Sequence, residues 1–176
     1  MLRDRLRLQV ALYLRSKYLG SYHYALFVAP KLSKDLTPTI KHHVKNTFMN
    51  VAGEVTDPWR YECTTNTQVE QIVIAKVAAT REDIDQILES VPVYQTDELD
   101  ENGVKLFSCR TWVRDALDLL ANRDAISAFT SWNEIERKSR EYVGTKQRQR
   151  RWSSSWTGPP GVSLMDSLDQ RAELVQ

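Results

Sequence analysis

The sequence predicts an α+β fold, an antiparallel β-sheet packed against helices. Its first half holds short runs of apolar and β-branched residues separated by Gly and Pro turn signals. Its second half carries apolar residues at helical spacing behind capping signals. The 176 residues, 41% of them hydrophobic, suit one domain whose core needs no disulfides, with an appendage at each end.

Residues 2–18 place Leu6, Val10, Tyr13 and Leu14 at roughly helical spacing with arginines between them, and this predicts an N-terminal helix over 1–19, ended by Gly20. Residues 23–28 are almost wholly apolar and run into Ala29-Pro30, which suits a buried strand stopped by proline. A polar loop follows over 31–39. Strands are expected at 40–47 and 59–64, separated by the turn signals Gly53 and Asp57-Pro58, and at 69–78, the run richest in β-branched residues. Thr80-Arg81-Glu82-Asp83 is a helix start of capping-box type, and the helix behind it shows Ile84, Ile87 and Leu88 on one face before Pro92 stops it. Residues 93–107 read as a polar, acidic loop. Residues 108–120 are strongly amphipathic, and 126–142, with Phe129, Trp132, Ile135 and Tyr142, predict a second long helix. Beyond Trp152 the Ser and Gly-Pro-Pro-Gly stretches read as a mobile tail with a short helix at 164–174. The expected organisation is thus the helix at 1–19, a catalytic domain over 20–145 and a basic, polar tail over 146–176.

The net charge of +1 is unevenly distributed. Arg3, Arg5, Arg7, Arg15 and Lys17 crowd one end, and Arg137, Lys138, Arg140, Lys146, Arg148, Arg150 and Arg151 the other, with an acidic middle. Such runs are read here as solvated faces rather than a nucleic-acid surface. Two cysteines are too few for a disulfide framework, and no leader pattern or apolar run of about 20 residues is present. A reducing, cytoplasmic location is the expectation.

The residues with chemical potential are Cys109 and the histidines. Cys109 stands at a helix start, where unpaired amides and the helix dipole favour negative charge. His23 lies in one predicted strand, His42 and His43 in the next. A nucleophilic thiol needs a base and a group that holds the base in one tautomer. His23 is the candidate base; His42, His43 and Asn46 are candidates for the orienting role. Strand alternation puts His42 with Ile40 and Val44 on one face and His43 with Lys45 on the other, so one histidine of the pair faces the site. Gln95 offers a side-chain amide to an oxyanion hole, and Cys63 points to core or solvent. No paired metal-ligand spacing is present, so neither metal nor cofactor is expected.

The order of histidine, second polar residue and helix-starting cysteine resembles the circularly permuted papain-like fold of the NlpC/P60 superfamily, in particular its lecithin–retinol acyltransferase-like branch. The blocks Tyr22-His23-Tyr24-Ala25-Leu26-Phe27-Val28, His43-Val44-Lys45-Asn46, Trp59-Arg60-Tyr61-Glu62 and Ser108-Cys109-Arg110-Thr111-Trp112-Val113 are also similar to an uncharacterised family of fungal proteins. The resemblance covers about residues 20–140 and implies Cys109 as nucleophile, His23 as base and His43 as orienter. The acyltransferase branch has an Asn-Cys-Glu-His type of sequence at its nucleophile where this chain has Ser-Cys-Arg-Thr-Trp, so the thiol position carries over and the lipid specificity does not. The expected function is a cysteine-dependent hydrolase or acyltransferase acting on an amide, ester or thioester of a small-molecule, acyl or peptide substrate. The alternative is a non-catalytic α+β binding module using the same groove or its basic ends.

Overall fold

The computed structural model of the chain describes residues 6–15, 20–30, 39–46, 49–66, 71–151, 153–155, 157, 164–168 and 171–175. Its elements are β1 (Leu6–Leu14), β2 (Tyr22–Pro30), β3 (Thr39–Asn46), β4 (Met49–Val51), β5 (Glu54–Thr56), β6 (Trp59–Asn66), β7 (Gln71–Val77), α1 (Arg81–Glu89), α2 (Cys109–Asn122), β8 (Ile126–Ser127), α3 (Trp132–Arg148), β9 (Leu164–Asp166) and β10 (Arg171–Val175). The fold is α+β. One sheet runs in the order β10-β9-β7-β1-β2-β3-β6, with β8 also paired to β7. All its pairs are antiparallel except β7 with β9, which are parallel.

The helix expected at the N-terminus is instead the strand β1; residues 1–5 and 16–19 lie outside the described residues. Its apolar positions satisfy both periods. Leu6, Val10, Tyr13 and Leu14 fit a helix, but Leu6, Leu8, Val10, Leu12 and Leu14 also alternate with Arg7, Gln9, Ala11 and Tyr13. Pairing decides between them: β1 lies at the sheet centre, matched to β2 from Leu6↔Pro30 to Leu14↔Tyr22 and flanked by β7 on its other edge. A central strand is buried on both faces, which is why even Arg7 and Gln9 are buried.

The tail is corrected as well. Its expected short helix at 164–174 is replaced by β9 and β10, and β9 is fastened to β7 by the Ser167 N–H and hydroxyl, both donated to the Val73 carbonyl. The second long helix begins later than expected, at Trp132 behind the Ser131 cap, because Ile126 and Ser127 are spent pairing with Val77 and Lys76. It also runs past the expected domain end at 145. The Gly53 turn signal closes the β4–β5 hairpin: Ala52 and Gly53 sit at φ 53° and 88°, the positive pair that a two-residue hairpin loop requires. Of the remaining expectations, the loop at 31–39 falls outside the described residues up to 38, as do residues 67–70 before β7.

Alternate residues of the central strands build the core. Leu8, Val10 and Leu12 of β1, Tyr24, Leu26 and Val28 of β2 and Val44 of β3 meet Ile84 and Leu88 of α1, Trp112, Val113, Leu117 and Leu120 of α2 and Ile135 of α3 in one buried cluster. Each such side chain contributes about 1.5–3 kcal/mol by leaving water. Residues of the other parity, Ala11, Ala25, Phe27 and Tyr13, gather on the opposite face. Among the described residues no helix is long and apolar enough to cross a membrane.

Candidate active site

The start of α2 is fixed by a reciprocal cap. Ser108 is extended, its hydroxyl accepts from the Thr111 amide at 3.4 Å, and its own amide donates to the Thr111 hydroxyl at 2.8 Å. Cys109 and Arg110 occupy the first two helical positions, whose amides have no intrahelical acceptor. Arg110 anchors this turn, gripping the carboxylate of Glu136 on α3 through Nε and, at 2.6 Å, Nη2; the Tyr24 hydroxyl donates to the same carboxylate at 2.9 Å. Burial acts to raise the Glu136 carboxyl, but the hydrogen bonds from Arg110 and Tyr24 more than offset it and hold the group below the usual range. Burial and this neighbouring carboxylate push the Tyr24 phenol up. The two helices and β2 therefore share one buried polar knot beside the thiol.

Cys109 is 1% exposed. Its sulfur accepts from the Tyr24 backbone N–H at 3.5 Å and from Arg15 Nη2 at 3.6 Å. The place is set by the sheet. β2 and β3 pair from Val28↔Ile40 only to Leu26↔His42, whereas β1 continues along β2 through Leu12↔Tyr24 to Leu14↔Tyr22. The sheet is split where β3 leaves β2, and the thiol meets the backbone of β2 at that split.

His23 and His43 stand at the same place on the other face. His23 alternates with the core-facing Tyr22 and Tyr24 and lies 5.9 Å, ring to ring, from its cross-strand partner Tyr13. His23 Nε2 and His43 Nδ1 are 2.7 Å apart. His43 is registered opposite Glu62 on β6, with its Nε2 at 3.5 Å from the carboxylate, which also takes the Lys45 ammonium at 2.9 Å. Both imidazoles are held neutral. Burial, then His43, Arg15, Lys41 and Lys45, lowers His23 to about 3; burial and Lys41 lower His43 to about 4 against the opposing pull of Glu62.

His42 faces the helices. It is fully buried, with Nδ1 at 2.8 Å from the Tyr61 hydroxyl and Nε2 at 3.2 Å from Asp85 of α1, and burial with the Arg81 charge lowers it to about 4. Of the two adjacent histidines, then, His43 is the one that meets His23.

Cys109 and His23 are brought to neighbouring atoms but not into a hydrogen bond. A peptide nitrogen lies about 2.4 Å from the preceding Cα, so a sulfur 3.5 Å from the Tyr24 nitrogen is within about 6 Å of the His23 Cα. Among the described residues no bond joins thiol to imidazole. Gln95 is committed elsewhere: its Oε1 accepts from the Trp59 amide and its Nε2 donates to the Trp59 carbonyl, both at 2.8 Å, so it staples the loop after α1 to β6. Cys63 is exposed on β6. No group of three His, Cys, Asp or Glu among the described residues is placed to hold a metal.

Three participants carry no local sequence signal. Arg15 reaches the thiol only as the residue after a strand, not as part of a helix. Glu62 faces His43 only through the β3–β6 register. Glu136 sits on a helix whose separation from Arg110 in sequence gives no local signal.

A model of a family of unknown function (DUF6914) matches residues 5–174, and the chain belongs to that family. No curated protein and no solved structure matches it.

Proposed function

We propose that the chain is a cysteine-dependent acyl-transfer enzyme, a hydrolase or acyltransferase of permuted papain-like arrangement, with Cys109 as nucleophile, His23 as base and His43 as the residue that orients His23. The observation carrying this reading is the 2.7 Å His23–His43 contact one residue away from the Tyr24 amide that holds the Cys109 sulfur. The tautomers follow from the partners. We place the proton of neutral His43 on Nε2, facing the acceptor-only carboxylate of Glu62 at 3.5 Å, so that its Nδ1 accepts from His23 Nε2–H. The lone pair of His23 is then on Nδ1, the nitrogen left to receive the thiol proton.

In the reaction the Cys109 thiol gives its proton to His23 Nδ1 as sulfur bonds to the carbonyl carbon of an amide, ester or thioester. The oxyanion accepts from the amides of Cys109 and Arg110 at the positive end of α2. The bond to the leaving group breaks as His23 returns the proton to it. Water or an amine, giving its proton to His23, then attacks the acyl-thioester, and the thiol is regenerated with that proton.

A second reading rests on the burial of the thiol. There Cys109 is a small apolar residue whose sulfur closes off the Tyr24 amide, and the chain is a binding module. Alkylation by iodoacetamide at neutral pH separates the two, with Cys63 as internal reference and mass spectrometry as readout. For the enzyme, Cys109 is modified faster than Cys63, and His23→Asn slows it by about tenfold or more, since a general base contributes about 10²–10⁴-fold. If Cys109 is modified only as fast as the chain unfolds, and equally in both proteins, the acyl-transfer reading fails.

A further inference from the structure

We infer that the substrate of this site is an anionic acyl compound, whose carboxylate or phosphate is held by Arg15 and Lys41 while its carbonyl meets Cys109; this rests on the acyl-transfer reading. Arg15 extends from the end of β1 to place its guanidinium 3.6 Å from the sulfur. Lys41 shares a strand face with His43, and its ammonium lies 5.4 Å over the ring of Tyr13, which is itself 5.9 Å from the His23 ring. Both cations lie close enough to the His23 imidazole for their charges to lower it, Arg15 from beside the thiol and Lys41 beside Tyr13.

Their charges are not cancelled locally. Lys45, which shares the face of Lys41, is matched by Glu62 at 2.9 Å, but among the described residues neither Arg15 nor Lys41 lies within ion-pair distance of a carboxylate. The imidazoles beside them are neutral. Both cations are half-buried, and keeping partly desolvated charge without a counter-ion is costly. The ammonium of Lys41 is lowered by that burial, partly offset by the more distant Glu62. A net excess of two positive charges beside a nucleophile focuses anions there, and a guanidinium fork fits a carboxylate or a phosphate through paired donors. A neutral acyl group would use neither cation.

The test has two measurements on the full chain, each made on the wild type and on Arg15→Gln and Lys41→Gln. In thermal melting at matched ionic strength, glutarate or glycerol phosphate is expected to raise the midpoint above chloride in the wild type and to lose that advantage in the variants; the effective salt tells carboxylate from phosphate. In alkylation, the iodoacetate to iodoacetamide rate ratio at Cys109 is expected to exceed that at Cys63 by about tenfold, the low end of what focused charge does to association, and to fall in both variants. Anions no better than chloride, or a ratio at Cys109 equal to that at Cys63, overturn the inference. Melting does not depend on thiol chemistry. Anion stabilisation with Cys109 labelling indifferent to His23→Asn removes the enzyme and with it the substrate, whereas His23-dependent labelling without anion preference keeps the enzyme and removes only the anionic substrate.

Discussion

Acidification from pH 7.5 to pH 5 should destabilise this protein well before its carboxylates titrate. His23, His42 and His43 are held at about 3, 4 and 4 in the fold, against an ordinary value near 6.5 in the unfolded chain. The folded form thus binds fewer protons than the unfolded form over this window, so stability is full above pH 6.5 and falls as the pH drops toward the folded values. For one histidine that stays neutral, unfolding gains about 2 kcal/mol at pH 5, from 1.36 kcal/mol for each unit below 6.5. His42 and His43 are buried and count nearly in full; His23 is partly exposed and is discounted. The expected loss is about 4–6 kcal/mol, a large part of the roughly 5–15 kcal/mol that holds an ordinary domain together.

Other groups do not mimic this. The lowered carboxyls of Glu62 and Glu136 act only below their ordinary value of 4.5, and Asp85, raised by burial, works in the opposite direction. Urea unfolding followed by tryptophan fluorescence at the two pH values reads the difference, with the slope checked for constancy. His42→Gln should shrink the pH-dependent loss by about 2 kcal/mol whatever it does to stability at pH 7.5. Equal stability at pH 7.5 and pH 5 would refute the assignment of neutral, desolvated imidazoles.

Cys109→Ala should abolish turnover and cost about 1–2 kcal/mol, because it opens a small cavity and leaves the Tyr24 amide without its acceptor, while Cys109→Ser keeps an acceptor and should melt closer to the wild type. His43→Ala should slow turnover by about 10²–10⁴, as expected of a residue that fixes a tautomer, and, being buried against His23, should also cost about 2–4 kcal/mol. His42→Ala should cost about 2–4 kcal/mol through a cavity and the lost partner of Tyr61 while leaving the rate per folded molecule unchanged; initial rates corrected for the folded fraction from urea curves separate them. Glu136→Gln should loosen the first turn of α2 and cost about 1–3 kcal/mol, the Arg110 guanidinium being part-exposed and the loss discounted for that, and Glu136→Asp should restore part of it.

What could be read from the sequence was local, and what could not was decided by pairing. The Thr80 cap, the helix start at Cys109 and the alternation that sends His42 and His43 to opposite faces need only neighbouring residues, and each stands where it was expected. β1 carries a pattern that both periods accept, and only the docking of β2 and β7 on its two edges chooses the strand. The same holds for β9, three residues placed by pairing with the edge of β7 and with β10. The place of Arg15 follows from the same choice. As part of an amphipathic helix its charge would face solvent; as the residue after a central strand it reaches the Cys109 sulfur.

The proposed chemistry depends on the split between β2 and β3. α2 packs on one face of the sheet and the imidazole pair stands on the other, so in a continuous sheet the backbone would separate thiol from base. Pairing ends at Leu26↔His42, and beyond it the Tyr24 amide is bonded to sulfur. The His23 Cβ leaves the strand on the face away from α2, so a sulfur within about 6 Å of its Cα is reached only if the ring turns toward the split. His43 lies one residue past the last β2–β3 pair, held from the β6 side by its register with Glu62. Its ring is buried with Nδ1 2.7 Å from His23 Nε2, so the turn that brings His23 to the thiol either carries His43 with it or breaks their contact.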